Sequence, residues 1–159
     1  DTTVRINTER TAEILGKNAR LDCRFFNPLP DDYPSFPHRL TISSAPHPHI
    51  NPASGEPATN PRLIAEQQGW NCTLMALIVP RKTNEPPLVV HDATTSRTFN
   101  VFIEHGEFVD QLVYACDHSL VRLKNLWADS EIVLVRRNRA GQATAAWTSD
   151  GGPVRTDPA

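Results

Sequence analysis

The sequence has little of what defines several common classes of protein. Its 159 residues include seven glycines and one methionine, and no apolar run is long enough to cross a membrane as a helix. Sixteen basic and eighteen acidic side chains give a formal net charge of −2. A balance this close to neutral argues against nucleic acid or a membrane as a partner that is held by bulk charge.

Cysteine is also scarce. Cys23, Cys72 and Cys116 are widely spaced and odd in number, which fits neither a zinc pattern nor a disulfide framework. We expect buried thiols, with one bridge and a leftover thiol as the alternative.

Motifs for phosphate binding and nucleophilic catalysis are absent from the sequence. The glycines are isolated or terminal, so no glycine-rich phosphate loop is present. No G-x-S-x-G, H-E-x-x-H or protein-kinase motif occurs either. We therefore predict neither a catalytic residue nor a cofactor for this chain.

Short segments with strand-like patterns recur along most of the chain. Residues 20–25 (RLDCRF) alternate strictly between polar and apolar side chains, which is typical of a strand with one wet face. Residues 98–104 and 107–114 flank His105-Gly106 and predict a β-hairpin.

Two further segments, 72–79 and 131–135, are apolar on both faces and predict central strands covered on both sides. Roughly ten to twelve such segments, about ten residues apart, favour an all-β fold. We predict an antiparallel two-sheet β-sandwich, because stacked sheets cover a strand on both faces.

Proline exceeds its average frequency, at 14 of 159 residues, and nine of the fourteen prolines lie between residues 27 and 61. Because proline has no N–H group, we expect 27–61 to be a long Pro-rich surface excursion rather than a regular ladder. We predict a single domain over residues 1–149 that includes this excursion, followed by a loose C-terminal tail over 150–159.

Tryptophans and one cluster of arginines are the side chains that best suit a glycan. Exposed indole rings stack on sugars, and the guanidinium fork suits carboxylate and sulfate. The alternatives are tryptophans in the core and arginines at a solvated hairpin tip. The candidate glycan-facing residues are Trp70, Trp127, Trp147, Arg136 and Arg137.

Three histidines are candidate metal ligands. His47 and His49 are two residues apart, so in an extended chain both imidazoles point the same way, and His38 lies nine residues earlier. The ligand set is incomplete, because few acidic residues lie nearby in the sequence. We predict exposed loop histidines rather than a metal centre.

The order of two segments resembles a known family. Residues 19–30 (ARLDCRFFNPLP) resemble a stretch late in bacterial heparinase II/III-like polysaccharide lyases and their alginate-lyase relatives. Residues 68–81 (QGWNCTLMALIVPR) are similar to a following strand of that family. The resemblance extends over about residues 1–140 and consists mostly of strand and turn patterning.

The resemblance implies a function for the chain as part of a larger enzyme. Lyases of this family join an α-helical toroid to C-terminal β-sheet domains and cleave uronic-acid glycans by β-elimination. On this basis the chain is a distal, non-catalytic β-sandwich that is inactive alone. Its implied partners are an upstream α-helical catalytic domain and an acidic polysaccharide, and its implied location is secreted or periplasmic. None of the family's catalytic or zinc-binding motifs occurs here, so none of those roles is transferred.

Two other functions compete with this one. A stand-alone carbohydrate-binding or adhesion module should expose at least two of the aromatic residues Trp70, Trp127, Trp147 and Tyr33 in one plane. A small metal-dependent enzyme should bring His38, His47 and His49 together.

Overall fold

The computed structural model describes residues 2–26, 39–68, 73–95 and 97–156. The described residues contain fourteen strands and no helix, and all strand pairs among them are antiparallel. The predicted all-β class is therefore confirmed. No helix in these ranges has the length and apolarity needed to cross a membrane.

The strands are β1 (Thr3–Thr8), β2 (Thr11–Leu15), β3 (Ala19–Phe26), β4 (Arg39–Ile50), β5 (Pro57–Gln68), β6 (Met75–Lys82), β7 (Val89–Asp92), β8 (Thr98–His105), β9 (Phe108–Ala115), β10 (Arg122–Leu123), β11 (Leu126–Ala128), β12 (Ile132–Asn138), β13 (Ala143–Thr148) and β14 (Val154–Thr156).

The described residues fall into two compact units, which meet in sequence between Pro87 and Leu88. The N-terminal unit contains a four-stranded sheet in the order β1-β2-β3-β6 and a two-stranded ribbon, β4-β5. The C-terminal unit contains a five-stranded sheet in the order β13-β12-β9-β8-β7 and a three-stranded sheet, β10-β11-β14. The single two-sheet sandwich over residues 1–149 stays a prediction.

Around Ala12 and Cys23, the four-stranded sheet carries apolar side chains on one face and a group of ion pairs on the other. Ala12 lies directly opposite Cys23, and both are buried on the apolar face. Burial raises the pKa of the Cys23 thiol, which is free, as predicted. On the other face, Arg81 forms ion pairs with Asp22 at 2.5 Å and with Glu13 at 3.4 Å. The alternation predicted for residues 20–25 produces this separation.

The two segments predicted as central strands differ in the structure. Residues 131–135 contribute to β12, which lies between β9 and β13, and Val133 and Val135 are fully buried. Residues 75–79 of the other segment contribute to β6, which is the last strand in the order of its sheet, and Cys72 lies outside the described residues. Ile78 in β6 is 56% exposed, so the expected cover on both faces is not found there. Apolarity alone does not specify how many neighbours a strand has.

Much of the segment expected to be a Pro-rich excursion forms a regular ribbon instead. Every residue of β4 pairs with a residue of β5, and the pairs include Pro46 opposite Pro61. The Asn51 N–H donates to the Glu56 carbonyl at 2.8 Å, which makes that pair hydrogen-bonded and fixes the alternation along the ladder.

All four prolines of the ribbon fall in the other pairing class. Pro46, Pro48, Pro57 and Pro61 occupy pairs an odd number of steps from Asn51–Glu56. At those positions a backbone N–H would point away from the partner strand, so its absence costs the ladder no hydrogen bond. Residues 27–38 of the predicted excursion lie outside the described residues.

Two adjacent serines test this pairing rule. Ser44 lies opposite Leu63 in the same class as the prolines, whereas Ser43 lies opposite Ile64 in the hydrogen-bonded class. Ser44→Pro should leave the free energy of unfolding within about 0.5 kcal/mol of wild type. Ser43→Pro should lower it by at least about 1 kcal/mol, because a ladder hydrogen bond is lost. Urea unfolding measures both, and equal losses in the two variants would contradict the pairing.

The core of the C-terminal unit lies between its two sheets. Val113, Val133 and Val135 of the five-stranded sheet form one buried cluster with Leu126 and Ala128 of the three-stranded sheet. Burying these side chains fixes which residues of each strand point outward.

The C-terminal residues expected to be a loose tail are ordered as far as Thr156. Val154–Thr156 forms β14, which pairs with β11, and Val154 packs against the core cluster. The chain enters β14 past Gly152, where a Cβ atom would lie 2.3 Å from the Asp129 carbonyl oxygen. A three-residue strand after a Gly-Gly-Pro turn carries too little periodicity to be recognised in the sequence.

Leu126→Ala tests the position of this core. Leu126 is 1% exposed, so its truncation should lower the free energy of unfolding by about 3 kcal/mol. Leu120 is 44% exposed in the same unit, and Leu120→Ala should cost less than about 0.5 kcal/mol. Urea denaturation compares the two variants, and similar costs would show that the core is misplaced.

Candidate functional site

The face of the five-stranded sheet opposite to the core cluster carries charged and aromatic side chains near the β8–β9 turn, whereas Phe99 and Val101 farther along the same face are buried. Arg136 lies directly opposite Asp110, and His105 lies opposite Phe108 across the β8–β9 turn. Trp147 lies opposite Leu134, two residues from Arg136 on the same face. We call this cluster, which consists of His105, Phe108, Asp110, Arg136 and Trp147, the Arg136 surface.

Asp110 holds the side chains of Arg136 and His105 in place. Arg136 donates from Nε to Asp110 Oδ1 at 2.8 Å and from Nη2 to Oδ2 at 2.8 Å. His105 Nε2 lies 2.7 Å from the same Oδ2. This two-point contact fixes the plane of the guanidinium.

The hydrogen bonds of this network favour the ionised form of Asp110. The hydrogen bond from Arg136 lowers the pKa of Asp110, and the hydrogen bond from His105 lowers it further, against a rise due to burial. Asp110 is only 9% exposed, so its ionised form depends on these two partners.

Two exposed aromatic rings flank the guanidinium. The Arg136 Cζ atom lies 5.4 Å from the Phe108 ring centroid and 5.8 Å from that of Trp147. Trp147 is 49% exposed and Phe108 is 39% exposed. Arg136 Nη1 makes no hydrogen bond to the described residues. The guanidinium, which Asp110 fixes, therefore lies near two exposed rings and retains a donor without a partner among the described residues.

This arrangement suits binding better than proton transfer. Nε2 of His105 is occupied by Asp110 at 2.7 Å and lies 3.4 Å from Arg136 Nη2, so it is engaged inside the network. The exposed groups are an N–H donor and two apolar rings, which together can bind a ligand with oxygen acceptors and an apolar face.

Of the two adjacent arginines predicted to face a glycan, only Arg136 belongs to the Arg136 surface. Neighbouring residues in a strand point to opposite faces, so Arg137 turns inward and is 7% exposed. Its Nη1 donates to the Gly141 carbonyl at 3.0 Å, across the β12–β13 turn. Arg137 therefore stabilises the hairpin.

The two predicted tryptophans that the structure describes, Trp127 and Trp147, do not share one platform. Trp127 is half-buried on β11, in the other sheet of the C-terminal unit, with Arg122 4.0 Å and Arg155 5.1 Å from its ring centroid. Trp147 lies on the five-stranded sheet. Both Trp70 and Tyr33 lie outside the described residues.

The candidate metal ligands are brought together only in part. His47 and His49 lie on the same side of β4, and His49 Nε2 is 3.4 Å from the Asn60 side-chain nitrogen. His38 lies outside the described residues. Among the residues that the structure describes, no group of three metal-ligating side chains is found.

Three residues of the Arg136 surface were not among the sequence candidates. Phe108 is one apolar position of an alternating strand, and Asp110 and His105 carry no motif. The predicted hairpin at His105-Gly106 was the available signal, since its register places Phe108 opposite His105.

Comparison of the chain with protein-family models, with curated proteins and with solved structures finds no match.

Asp110→Asn tests the charge network. Because the pKa of Asp110 is lowered, its contribution to stability is fully present above the ordinary value of 3.8 and is lost as pH falls through the lowered value. The variant should lose about 2 kcal/mol of unfolding free energy at pH 7. The difference from wild type should shrink towards pH 2.

Urea unfolding at both pH values measures this difference. Glu107→Gln, which removes an exposed carboxylate from the neighbouring turn, is the matched control and should change little. A deficit in Asp110→Asn that is equal at pH 7 and pH 2 would contradict the network.

Proposed function

We propose that this chain is a non-catalytic, glycan-binding all-β domain and that the Arg136 surface is its sugar site. The observation that carries the proposal is the Arg136 guanidinium, whose Cζ lies 5.8 Å from the exposed ring of Trp147 and 5.4 Å from that of Phe108, and whose Nη1 has no hydrogen-bond partner among the described residues. Sugars have an apolar C–H face and a rim of oxygen acceptors, which match the rings and the donor respectively.

Asp110 lowers the entropic cost of binding. An arginine that is free to rotate loses side-chain entropy when a ligand fixes it. The two contacts from Asp110, both at 2.8 Å, fix Arg136 before the ligand arrives. The ligand then takes the remaining edge of the guanidinium without displacing the carboxylate.

The identity of the glycan follows from the guanidinium and from the family resemblance. A guanidinium edge prefers carboxylate oxygens, which favours a uronic-acid polysaccharide. The resemblance of residues 19–30 and 68–81 to heparinase II/III-like lyases supports the same ligand, an upstream α-helical catalytic domain, and a secreted or periplasmic location. A stand-alone binding or adhesion module would use the same surface.

Trp147→Ala tests the sugar site. Removing one stacking ring should weaken binding of a β-1,4-linked oligoglucuronate by roughly tenfold in isothermal titration calorimetry. Leu120→Ala removes an exposed apolar side chain elsewhere in the same unit and should leave the affinity unchanged. Wild-type affinity in Trp147→Ala would contradict the site.

Two further arms of that experiment test the ligand and the absence of catalysis. A cello-oligosaccharide of equal length, which lacks only the carboxylates, should bind more weakly than the oligoglucuronate. Equal affinities would overturn the acidic ligand but not the stacking site. Unsaturated products formed by this chain alone, read from their ultraviolet absorbance, would overturn the non-catalytic role.

A further inference from the structure

The outward face of the three-stranded sheet carries a row of three paired residues. Arg122 on β10 lies directly opposite Trp127 on β11, and Trp127 lies directly opposite Arg155 on β14. Directly paired residues share a face of the sheet. Leu126 and Ala128, which flank Trp127 in β11, point in the opposite direction, into the core. We call Arg122, Trp127 and Arg155 the Trp127 row.

Both terminal nitrogens of Arg122 donate hydrogen bonds within the protein. Its Nη1 donates to the carbonyls of Ala128 and, at 2.9 Å, of Val121. Its Nη2 donates to Asp129 Oδ1 at 3.0 Å. Arg122 therefore secures the β10–β11 hairpin and has its charge balanced by Asp129.

The Arg155 side chain forms no comparable hydrogen bond or ion pair with the described residues. It is exposed, and its Cζ atom lies 5.1 Å from the Trp127 ring centroid. Within strands β10, β11 and β14 the charged side chains are Arg122 and Arg155, and the Asp129 carboxylate that follows β11 pairs with Arg122. Arg155 is therefore the arginine of the Trp127 row whose charge has no ion-pair partner among the described residues.

We propose that the Trp127 row is an oxyanion-binding site, with Arg155 as the ligand-contacting residue. A guanidinium that stacks on an indole keeps its N–H edge free and loses little further entropy when it binds a carboxylate, sulfate or phosphate group. Trp127 acts as a positioning residue whose ring is occupied by arginines, so it is not a sugar platform. The proposal does not rest on the Arg136 surface, which belongs to the other sheet.

The test is a ¹H–¹⁵N NMR titration of the whole chain with sodium sulfate, inorganic phosphate and glucuronate in turn, at constant ionic strength set by chloride. Saturable shifts of the Arg155 Nε–H and the Trp127 indole N–H are expected in wild type. Arg155→Gln should weaken the response of the Trp127 indole by roughly tenfold. Arg5→Gln removes the same charge from an exposed position on β1 and should bind as wild type does.

Several results would overturn the site: no saturable shift, an unchanged Trp127 response in Arg155→Gln, or an equal loss in Arg5→Gln. Unchanged urea midpoints show that the variants are folded. Arg155→Lys, which keeps the charge and loses the fork, should fall between wild type and Arg155→Gln.

Oligoglucuronate, added in the same titration, distinguishes the sources of the oxyanion. Tighter binding of the oligomer than of free glucuronate assigns the site to a polymer, and equal binding assigns it to small anions; both results support an oxyanion site. Trp147→Ala should leave the shifts at Arg155 unchanged, so a failure of the sugar site and a failure of this site are distinguishable.

Discussion

Burial of the apolar cluster between the two sheets of the C-terminal unit determines which side chains remain available for binding. Val133 and Val135 point into the cluster, and therefore Arg136 points out. Leu126 and Ala128 point into it from the other sheet, and therefore Trp127 points out. A slip of one residue in either strand would bury the arginine or the indole and expose the core. The same apolar contacts thus stabilise the unit and orient both candidate binding surfaces.

The sequence was sufficient to predict several strands and the β8–β9 hairpin, but not the β4–β5 ribbon, the short strand β14 or the order of strands that are distant along the chain. The alternation of residues 20–25 and the apolar stretch at 131–135 correspond to strands β3 and β12. The similar stretch at 72–79 became the last strand in its sheet, because strand order depends on long-range pairing that local composition does not encode. For the Pro-rich segment, the count of prolines suggested a loop, whereas their positions, all an odd number of steps from the Asn51–Glu56 pair, permit a ladder.

In the candidate site, residue type likewise identified some members, whereas others depend on strand pairing. Trp147 and Arg136 were identified from residue type, since exposed indole and guanidinium groups suit glycans. Asp110 was missed because it reaches Arg136 only through the register of β9 against β12. The inward position of Arg137 follows from strand alternation alone, so the sequence already contained the reason that two adjacent arginines cannot serve one surface.

The prolines of the β4–β5 ribbon have a consequence for solubility. A two-stranded ribbon has two free edges, and each free edge normally presents a row of backbone donors on which another chain can add a strand. Pro46 and Pro48 interrupt that row on one edge, and Pro57 and Pro61 interrupt it on the other. The residues that seemed least compatible with a β-ladder therefore protect this one against edge-to-edge aggregation.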